Sequence, residues 1–210
     1  MAKIEPFEKF TKDYEKWFEE KKPFYLSELK LLQHLLKDIP FKKGIEIGVG
    51  SGRFAAPLKI PYGVDPSLKM LKIAQRRGIK TLRGIAERLP LKSLSFDLVL
   101  LITTICFVDS PKESLLEIER ILSPEGHLLI GFVDKNSHLG RLYESKKERS
   151  KFYRGATFFG TEELISMVEQ NTSLKLIKAG QTIFGTDVRE YPPKEGYGEG
   201  SFVALLFRKQ

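Results

Sequence analysis

The chain has 210 residues, 41% of them hydrophobic, which suits one globular domain with a sizeable core. No apolar run approaches the roughly 18 residues of a membrane span, and no apolar signal core stands at the N-terminus. A single cysteine, Cys106, excludes an internal disulfide, and three scattered histidines disfavour a metal cluster. We therefore expect a cytoplasmic protein without a metal site or a membrane partner.

The formal net charge of +8 is compatible with a nucleic-acid partner or with a well-solvated surface. Charged residues make up 30% of the chain, and both signs are interspersed through most of it. This mixing is typical of a solvated surface rich in Lys and Glu. Nucleic acid therefore remains an alternative partner, but a disfavoured one.

Helical periodicity predicts two helices ahead of the first strand. The first covers about residues 8–20 and carries Tyr14 and Trp17 on one face. The second is expected to begin at Ser27, a residue type that caps helix N-termini.

Strands and helices then alternate five times, which indicates a parallel sheet with right-handed crossovers. A short helix is expected directly after the first strand, and Ser67 is expected to cap a later one. Asp97 is expected to bind nearby backbone rather than a ligand. The strands are predicted at about residues 44–47, 60–64, 79–83, 96–103 and 128–133.

This alternation stops after residue 135. Residues 136–160 are polar, basic and aromatic, and are expected to run over one edge of the sheet. Thr161 is expected to cap a further helix. Two strands at about 174–184 and 200–208 are then expected to form an antiparallel pair at the sheet edge.

Gly48, Gly50 and Gly52 occupy alternate positions after the first strand. Glycine adopts positive φ and lets a ligand approach the backbone, and the carboxyl end of such a strand is a common ligand site. A dinucleotide-binding turn requires a small residue where this chain has Arg53, so that cofactor class is disfavoured. An acidic residue, Glu46, instead stands two positions before the first glycine.

Four motifs follow one another along the chain. They are Glu46-Ile-Gly-Val-Gly-Ser-Gly52, Gly63-Val-Asp-Pro-Ser-Leu-Lys-Met-Leu71, Gly84-Ile-Ala-Glu-Arg-Leu-Pro90 followed by Ser95-Phe-Asp-Leu-Val99, and Ile121-Leu-Ser-Pro-Glu-Gly-His-Leu-Leu129. In these motifs, over about residues 14–174, the chain resembles the class I S-adenosylmethionine-dependent methyltransferases, most of all their small-molecule type 11 group.

The resemblance implies an α/β fold with a Rossmann-like, doubly wound sheet. This sheet would have seven strands, mostly parallel with an antiparallel edge strand. One methyltransferase domain, 1–210, would comprise an N-terminal helical cap (1–43), a cofactor-binding core (44–135), a substrate-side excursion (136–160) and a C-terminal helix with antiparallel strands (161–210).

The resemblance also implies the cofactor, S-adenosyl-L-methionine, which becomes S-adenosyl-L-homocysteine, and assigns residues to its parts. An acidic residue after the second strand can accept both ribose hydroxyls, and aromatic side chains can cover the nucleoside or attract the sulfonium. The implied contacts are Glu46 and the backbone of Gly48, Gly50 and Gly52 for the methionine portion, Asp65 for the ribose, Ala86 and Glu87 for the adenine, Ile102 and Thr103 near the methionine portion or the sulfonium, and Tyr14 and Trp17 as a cover.

The methyl acceptor is less well defined by the sequence. The implied reaction is in-line displacement at the sulfonium methyl, which requires alignment more than proton transfer, and no residue stands out as a catalytic base. His138, Tyr143 and Tyr153 are candidate acceptor contacts, although a structural role is the simpler interpretation of His138. We expect the segment 141–154 to form a lid over a small molecule. The alternatives are an RNA- or protein-directed methyltransferase and a non-catalytic cofactor-binding domain.

Overall fold

The computed structural model describes residues 4–210, so the first three residues of the predicted helical cap lie outside it. An eight-stranded sheet forms its centre, in the order β3-β2-β1-β4-β5-β8-β6-β7. The strands are β1 Gly44–Ile47, β2 Tyr62–Asp65, β3 Lys80–Arg83, β4 Phe96–Ile102, β5 Leu122–Val133, β6 Leu174–Thr182, β7 Lys194–Glu195 and β8 Phe202–Lys209.

The first five strands are mutually parallel, and β8 runs antiparallel between β5 and β6. The mostly parallel Rossmann-like sheet with antiparallel strands at one side is thereby confirmed. The expected count of seven strands is one short, because β7 adds an eighth. This strand has two residues and pairs with β6 through Gly180 and Gln181, which is too short to produce a periodic pattern.

Strand β4 is buried on both faces of the sheet. Leu98, Leu100 and Ile102 belong to one hydrophobic core, while the alternate residues Val99 and Leu101 belong to the other. Successive side chains on a strand point to opposite faces, so the nearly continuous apolar run places β4 at the centre of the sheet.

Seven α-helices accompany the strands within residues 4–210. They are α1 Glu5–Lys9, α2 Thr11–Glu20, α3 Lys22–Leu36, α4 Leu68–Arg76, α5 Pro111–Ile121, α6 His138–Lys146 and α7 Thr161–Asn171. None of them is long and apolar enough to cross a membrane.

The expected start of the second N-terminal helix at Ser27 is wrong. Helix α3 begins at Lys22, because Pro23 lies in its first turn, where the missing N–H of proline removes no helical hydrogen bond. Ser27 is inside the helix, where its hydroxyl donates to the Pro23 carbonyl oxygen at 2.8 Å and accepts from the Tyr191 amide at 2.8 Å. Residue 28 therefore lies in the second turn of a buried helix.

Other local expectations had mixed outcomes. Ser67 caps α4 by accepting from the Met70 amide at 3.2 Å, and Asp97 accepts from the Lys42 and Lys43 amides, as predicted. The cap of α7 is Gly160, and Thr161 is its first residue, which is a correction by one position.

The expectation of a short helix directly after β1 is wrong. Residues 51–59 form successive turns, with two α-type hydrogen bonds, from the Ala56 amide to the Gly52 carbonyl oxygen at 3.1 Å and from the Leu58 amide to the Phe54 carbonyl oxygen at 3.2 Å. Pro57 lacks a donor and Lys59 has a φ of 58°, so these turns do not become a regular helix. No regular helix therefore begins directly at the glycine turn.

Candidate active site

A cavity of about 190 Å³ lies where β1, β2, β4 and β5 end, and helices α1, α2 and α3 help to enclose it. A single water molecule requires roughly 10–15 Å³ measured in this way, so the cavity is a ligand-sized space. Its walls include Gly48 after β1, Asp65 at the end of β2, Thr103 after β4 and Val133 at the end of β5. The carboxyl ends of parallel strands are where open α/β sheets bind their ligands.

The glycine turn forms one wall of the cavity. Gly48 has a φ of +72°, and a Cβ there would lie 2.3 Å from the Thr104 side chain. Gly50 has a φ of +51°, and a Cβ there would lie 3.4 Å from the Tyr14 hydroxyl. Glycine is therefore required at both positions by backbone conformation, and at Gly48 also by space.

Gly52 differs from the other two glycines because it does not line the cavity. It has a φ of +80°, and a Cβ there would lie 3.3 Å from Ile79 and 3.4 Å from Ala74. This glycine thus allows the turn to pack closely against α4 and the residues that follow it.

Asp65 joins the end of β2 to the glycine turn. Its Oδ2 accepts from the Gly50 amide at 2.9 Å, and its Oδ1 accepts from the Ser67 amide at 2.8 Å. Burial raises the pKa of Asp65 to about 6, although both amides lower it. A carboxylate offers about four acceptor positions, so two remain for a ligand.

Glu46 lies in β1, 1% exposed, and does not itself line the cavity. Its Oε2 has no hydrogen-bond partner within residues 4–210. Burial raises the pKa of Glu46 well above its usual range, and the nearby Asp65 raises it further. A buried polar atom without a partner is unfavourable, so a ligand group that donates a hydrogen bond to it would be stabilised.

Ala86 and Glu87 both line the cavity beyond β3. The Glu87 carboxyl accepts from the Asp109 amide at 2.7 Å and from the Ser110 amide at 3.3 Å. These bonds tie the loop after β3 to the segment after β4, and so fix the position of both residues.

Of the two residues predicted to face the cofactor at the end of β4, one lines the cavity and the other does not. Thr103 lines the cavity with a φ of 49°, which is strained for a β-branched residue, whereas Ile102 is buried in the core beneath. Thr104, which was not predicted, also lines the cavity, and its hydroxyl donates to the Ile102 carbonyl oxygen at 2.9 Å. In a regular strand the side chains of residues 103 and 104 would point to opposite faces of the sheet. The positive φ of Thr103 interrupts this alternation, so both residues line the cavity.

Aromatic side chains of the N-terminal helices form the opposite wall. Tyr14 and Trp17, as predicted, line the cavity together with Phe7 and Phe18. The Tyr14 ring packs edge-on against Phe7 at 5.8 Å and Phe18 at 5.2 Å between ring centroids. Burial raises the pKa of Tyr14, and the carboxyls of Glu46 and Asp65 add to the effect, so its phenol stays protonated.

Residues after β5 complete the cavity. The rings of Tyr143 and Tyr153 stack at 5.1 Å between centroids, with 19° between their planes, and both line the cavity. Burial raises the pKa of Tyr143 to about 12. His138 is exposed at the start of α6 and does not line the cavity, so the structure does not bring it to the site.

The sequence interpretation missed Glu28. This residue of α3 lines the cavity and is 6% exposed, and its carboxyl has no hydrogen bond or ion pair with any residue of the described range. Burial raises the pKa of Glu28 to about 8. A signal was present: Glu28 lies four residues from both Phe24 and Leu32, on the buried face of the helix. A helix that began at Ser27 would have Glu28 in its first turn, where acidic residues are ordinary.

Across residues 4–210, no group of three or more His, Cys, Asp or Glu residues is arranged to hold a metal ion.

Comparison with known proteins agrees with this architecture. A family model described as a methyltransferase domain, Methyltransf_11, matches residues 45–130. A crystal structure from Thermotoga maritima, described as an S-adenosylmethionine-dependent methyltransferase and possible histamine N-methyltransferase, is 48% identical and has a TM-score of 0.94, with 99% of this chain and 100% of that chain covered.

Two further proteins extend the comparison. An uncharacterized protein of Methanocaldococcus jannaschii is 44% identical over 205 residues, which covers 97% of this chain and 98% of that protein. The N-methyltransferase NodS of Bradyrhizobium japonicum, in complex with S-adenosylhomocysteine, is 18% identical with a TM-score of 0.63 and coverage of 87% and 85%, a likeness of fold alone.

The strand order and the cavity at the strand ends define a Rossmann-like methyltransferase fold. With the family match and the full-length similarity to the Thermotoga enzyme, the chain belongs to the class I S-adenosylmethionine-dependent methyltransferases, in the type 11 group.

Proposed function

We propose that the protein transfers the methyl group of S-adenosylmethionine to a small-molecule acceptor, and that both bind in the cavity described above. The observation that carries this proposal is the continuity of the cavity. One space is lined by Gly50 and Asp65 from the cofactor motifs and by Tyr143 and Tyr153 from the segment after β5.

The residues present fit the cofactor. Glu46 does not itself line the cavity, but it lies two residues before Gly48, which does, and its unpartnered carboxyl oxygen would suit the amino group of the methionine portion. Asp65 keeps two acceptor positions for the two ribose hydroxyls. Ala86 and Glu87 would flank the adenine.

Gly52 and Ile102 lie behind the cavity wall, and their contribution to cofactor binding would come through packing.

S-adenosylmethionine, when bound, supplies a methyl group that its sulfonium already activates for in-line displacement. The protein's task is then to orient the acceptor and to exclude water, which can lower the barrier by several kcal/mol. Trp17 and Tyr14 offer aromatic faces that attract a cation. Thr103 and Thr104 are the polar groups at the end of β4.

Two observations favour a small acceptor over RNA or protein. Side chains of α1 and α2 and residues 152–153 line the cavity together with the strand ends, so it is a recessed pocket rather than a flat surface. Two lysines of the segment after β5 form ion pairs within the protein: Lys151 with Asp13 at 2.6 Å, and Lys147 with Glu144 at 3.6 Å. The Thermotoga relative's description as a possible histamine N-methyltransferase agrees with an acceptor of this size.

The test is transfer of a labelled methyl group. The protein is incubated with methyl-labelled S-adenosylmethionine and, separately, with a panel of small amines, thiols and hydroxyl compounds, with bulk RNA, and with a protein extract. We expect label in a small molecule. Label in RNA or protein alone would overturn the small-acceptor proposal, and cofactor binding without any transfer would support a non-catalytic domain instead.

A further inference from the structure

The cavity has a charge opposite to that of the whole chain. The protein carries a net charge of +8, yet the cavity lining within residues 4–210 contains Glu28, Asp65 and Glu87 and no Lys, Arg or His. A cationic ligand would therefore be attracted to this space and an anionic ligand would be repelled.

Two of the three carboxyls already have backbone partners. Asp65 accepts from two amides, and Glu87 accepts from two others. Glu28 alone among them has no partner in the described chain, although it is 6% exposed. Burying a carboxyl without a partner is unfavourable, and the surrounding face of α3 is apolar, so nothing in the packing of the helix accounts for a carboxyl at this position.

Glu28 lines the same cavity as Tyr143 and Tyr153. Its charge contributes to raising the pKa values of Tyr143 and Tyr153, the stacked pair after β5. Asp65 and Glu46 instead act on Tyr14, which feels Glu28 more weakly than either of them.

We propose that the Glu28 carboxyl binds the amino group of a small organic amine, the methyl acceptor, and takes up the proton that this nitrogen must lose. This inference rests on the proposed methyltransferase function. The aromatic rings of Trp17, Tyr143 and Tyr153 line the same cavity, and aromatic faces stabilise a bound ammonium group. An ammonium ion and a carboxylate together also remove the burial penalty that Glu28 carries alone.

The proton transfer is balanced within this pair. The N–H bond of the ammonium group breaks, its electron pair stays on nitrogen, and the proton moves to a Glu28 carboxyl oxygen. The nitrogen is then a nucleophile. A group that accepts a proton near neutral pH is suited to this role, and the pKa of Glu28 is raised by burial to about 8.

The other titratable groups around Glu28 do not compete for this proton. Asp65 and Glu87 line the same cavity, but each carboxyl already accepts from two backbone amides. The other groups that Glu28 acts on electrostatically are tyrosines: Tyr14 from α2, Tyr25 from α3 itself, Tyr143 from α6 and Tyr153 from the turn after it. Burial raises the pKa of each, so all remain neutral phenols near pH 7.

The pH dependence of amine binding follows from this arrangement. Below about pH 8 the free protein holds a protonated Glu28, so binding an ammonium ion as an ion pair releases one proton. Affinity should therefore rise by about tenfold per pH unit up to the pKa of Glu28.

The experiment is calorimetric titration of the protein saturated with S-adenosylhomocysteine, so that no methyl transfer occurs. The probes are ethylamine, histamine and phenethylamine, with 2-phenylethanol as the neutral analogue of phenethylamine. The proteins are the wild type, Glu28→Gln, which keeps the shape and removes the charge, and Glu20→Gln, an exposed control on α2 paired only with Lys16. Titrations in two buffers of different ionisation enthalpy measure the released proton.

We expect at least one amine to bind the wild type and Glu20→Gln with proton release near pH 7. Glu28→Gln should bind it at least about tenfold more weakly, without proton release, because a charged pair has been removed. Its affinity for S-adenosylhomocysteine should stay within about twofold of the wild-type value, which shows that the variant is folded.

Equal amine affinity in Glu28→Gln and the wild type, or no binding of any amine to the saturated wild type, would overturn the inference and leave the proposed function standing. Failure of the wild type to bind S-adenosylhomocysteine would overturn both.

Discussion

The Gly50 amide donates a hydrogen bond of 2.9 Å to Oδ2 of Asp65, although the two residues lie on different strand ends. The bond connects the turn after β1 to the end of β2 at the wall of the cavity. It means that the shape of the glycine turn and the position of the proposed ribose-binding carboxylate depend on one another. Changes at either residue should therefore affect the cofactor and the local backbone together.

Replacing Asp65 by Ala should weaken binding of S-adenosylhomocysteine by at least about tenfold, because a charged acceptor for the ribose is lost. It should also lower the free energy of unfolding by about 1–3 kcal/mol, since the Gly50 and Ser67 amides lose their partner.

Asp97→Ala is the matched control, because Asp97 likewise accepts from two backbone amides, those of Lys42 and Lys43, but lies outside the cavity. It should lower stability without changing cofactor affinity. If calorimetry finds the same affinity in Asp65→Ala as in the wild type, the ribose assignment is wrong.

Gly50→Ala should weaken the binding of S-adenosylhomocysteine and should also lower the free energy of unfolding. The new methyl group would sit 3.4 Å from the Tyr14 hydroxyl at the cavity wall, at a φ of +51°. The backbone strain should lower the free energy of unfolding by about 1–2 kcal/mol.

Gly196→Ala is the control for backbone strain alone, because Gly196 has a φ of +78° and no atom lies within 4 Å of the added Cβ. Both variants should lose similar stability in denaturant unfolding, and only Gly50→Ala should bind S-adenosylhomocysteine more weakly. Equal affinities in the two variants would show that the turn does not contact the cofactor.

The stability of the ligand-free protein should depend on pH through Glu28. Burial raises the pKa of Glu28 from 4.5 to about 8, so the folded state holds a proton that the unfolded state has lost between these values. Stability from this group is present below the unfolded pKa and is lost as the pH rises through the folded pKa.

Glu28→Gln removes this dependence and leaves that of Asp65 in place. The variant should therefore be more stable than the wild type by a few kcal/mol near pH 8, and the difference should shrink toward pH 5. Denaturant unfolding measures it, and a difference that is constant over this range would mean that Glu28 is not held in its buried, neutral form.

Tyr153→Ala and His138→Ala should differ in their effects on acceptor use. Tyr153 lines the cavity and stacks on Tyr143 at 5.1 Å, whereas His138 is exposed and outside the cavity. With an acceptor found by the labelling experiment, Tyr153→Ala should raise the KM for that acceptor and leave cofactor affinity unchanged. His138→Ala should match the wild type in both. A raised KM in His138→Ala with an unchanged KM in Tyr153→Ala would assign His138, and not Tyr153, to the acceptor site.

Local signals in the sequence were enough for much of the fold. The apolar run of β4 and the Ser67 cap each depend on residues near one another or on a simple alternation, and each is confirmed. Asp97 also binds backbone rather than the cavity, but its partners, the Lys42 and Lys43 amides, lie 55 and 54 positions away in the sequence, which no local signal reports. Ser27 misled because a proline nearby can either end a helix or begin one, and only the packing against Tyr191 decides between these.

The site was less accessible to the same reasoning. Gly52 and Ile102 carry the correct residue types for the motifs, yet their side-chain positions face neighbouring packing rather than the cavity. Thr104 lines the cavity because of a strained conformation at Thr103 that has no sequence signature. Phe152 reaches Tyr14 across 138 positions of sequence, with 6.0 Å between the ring centroids, and no periodicity reports such a contact.

Thermal unfolding with and without S-adenosylhomocysteine tests most directly whether the cavity at the strand ends is a cofactor site. At one hundred times its dissociation constant the ligand should add about 2.7 kcal/mol to the free energy of unfolding. For a chain of this length that corresponds to a rise of about 5–10 °C in the unfolding midpoint. We expect this rise in the wild type and a smaller one in Asp65→Ala at the same ligand concentration. An unchanged wild-type midpoint up to about 1 mM ligand would contradict the assignment of the cavity.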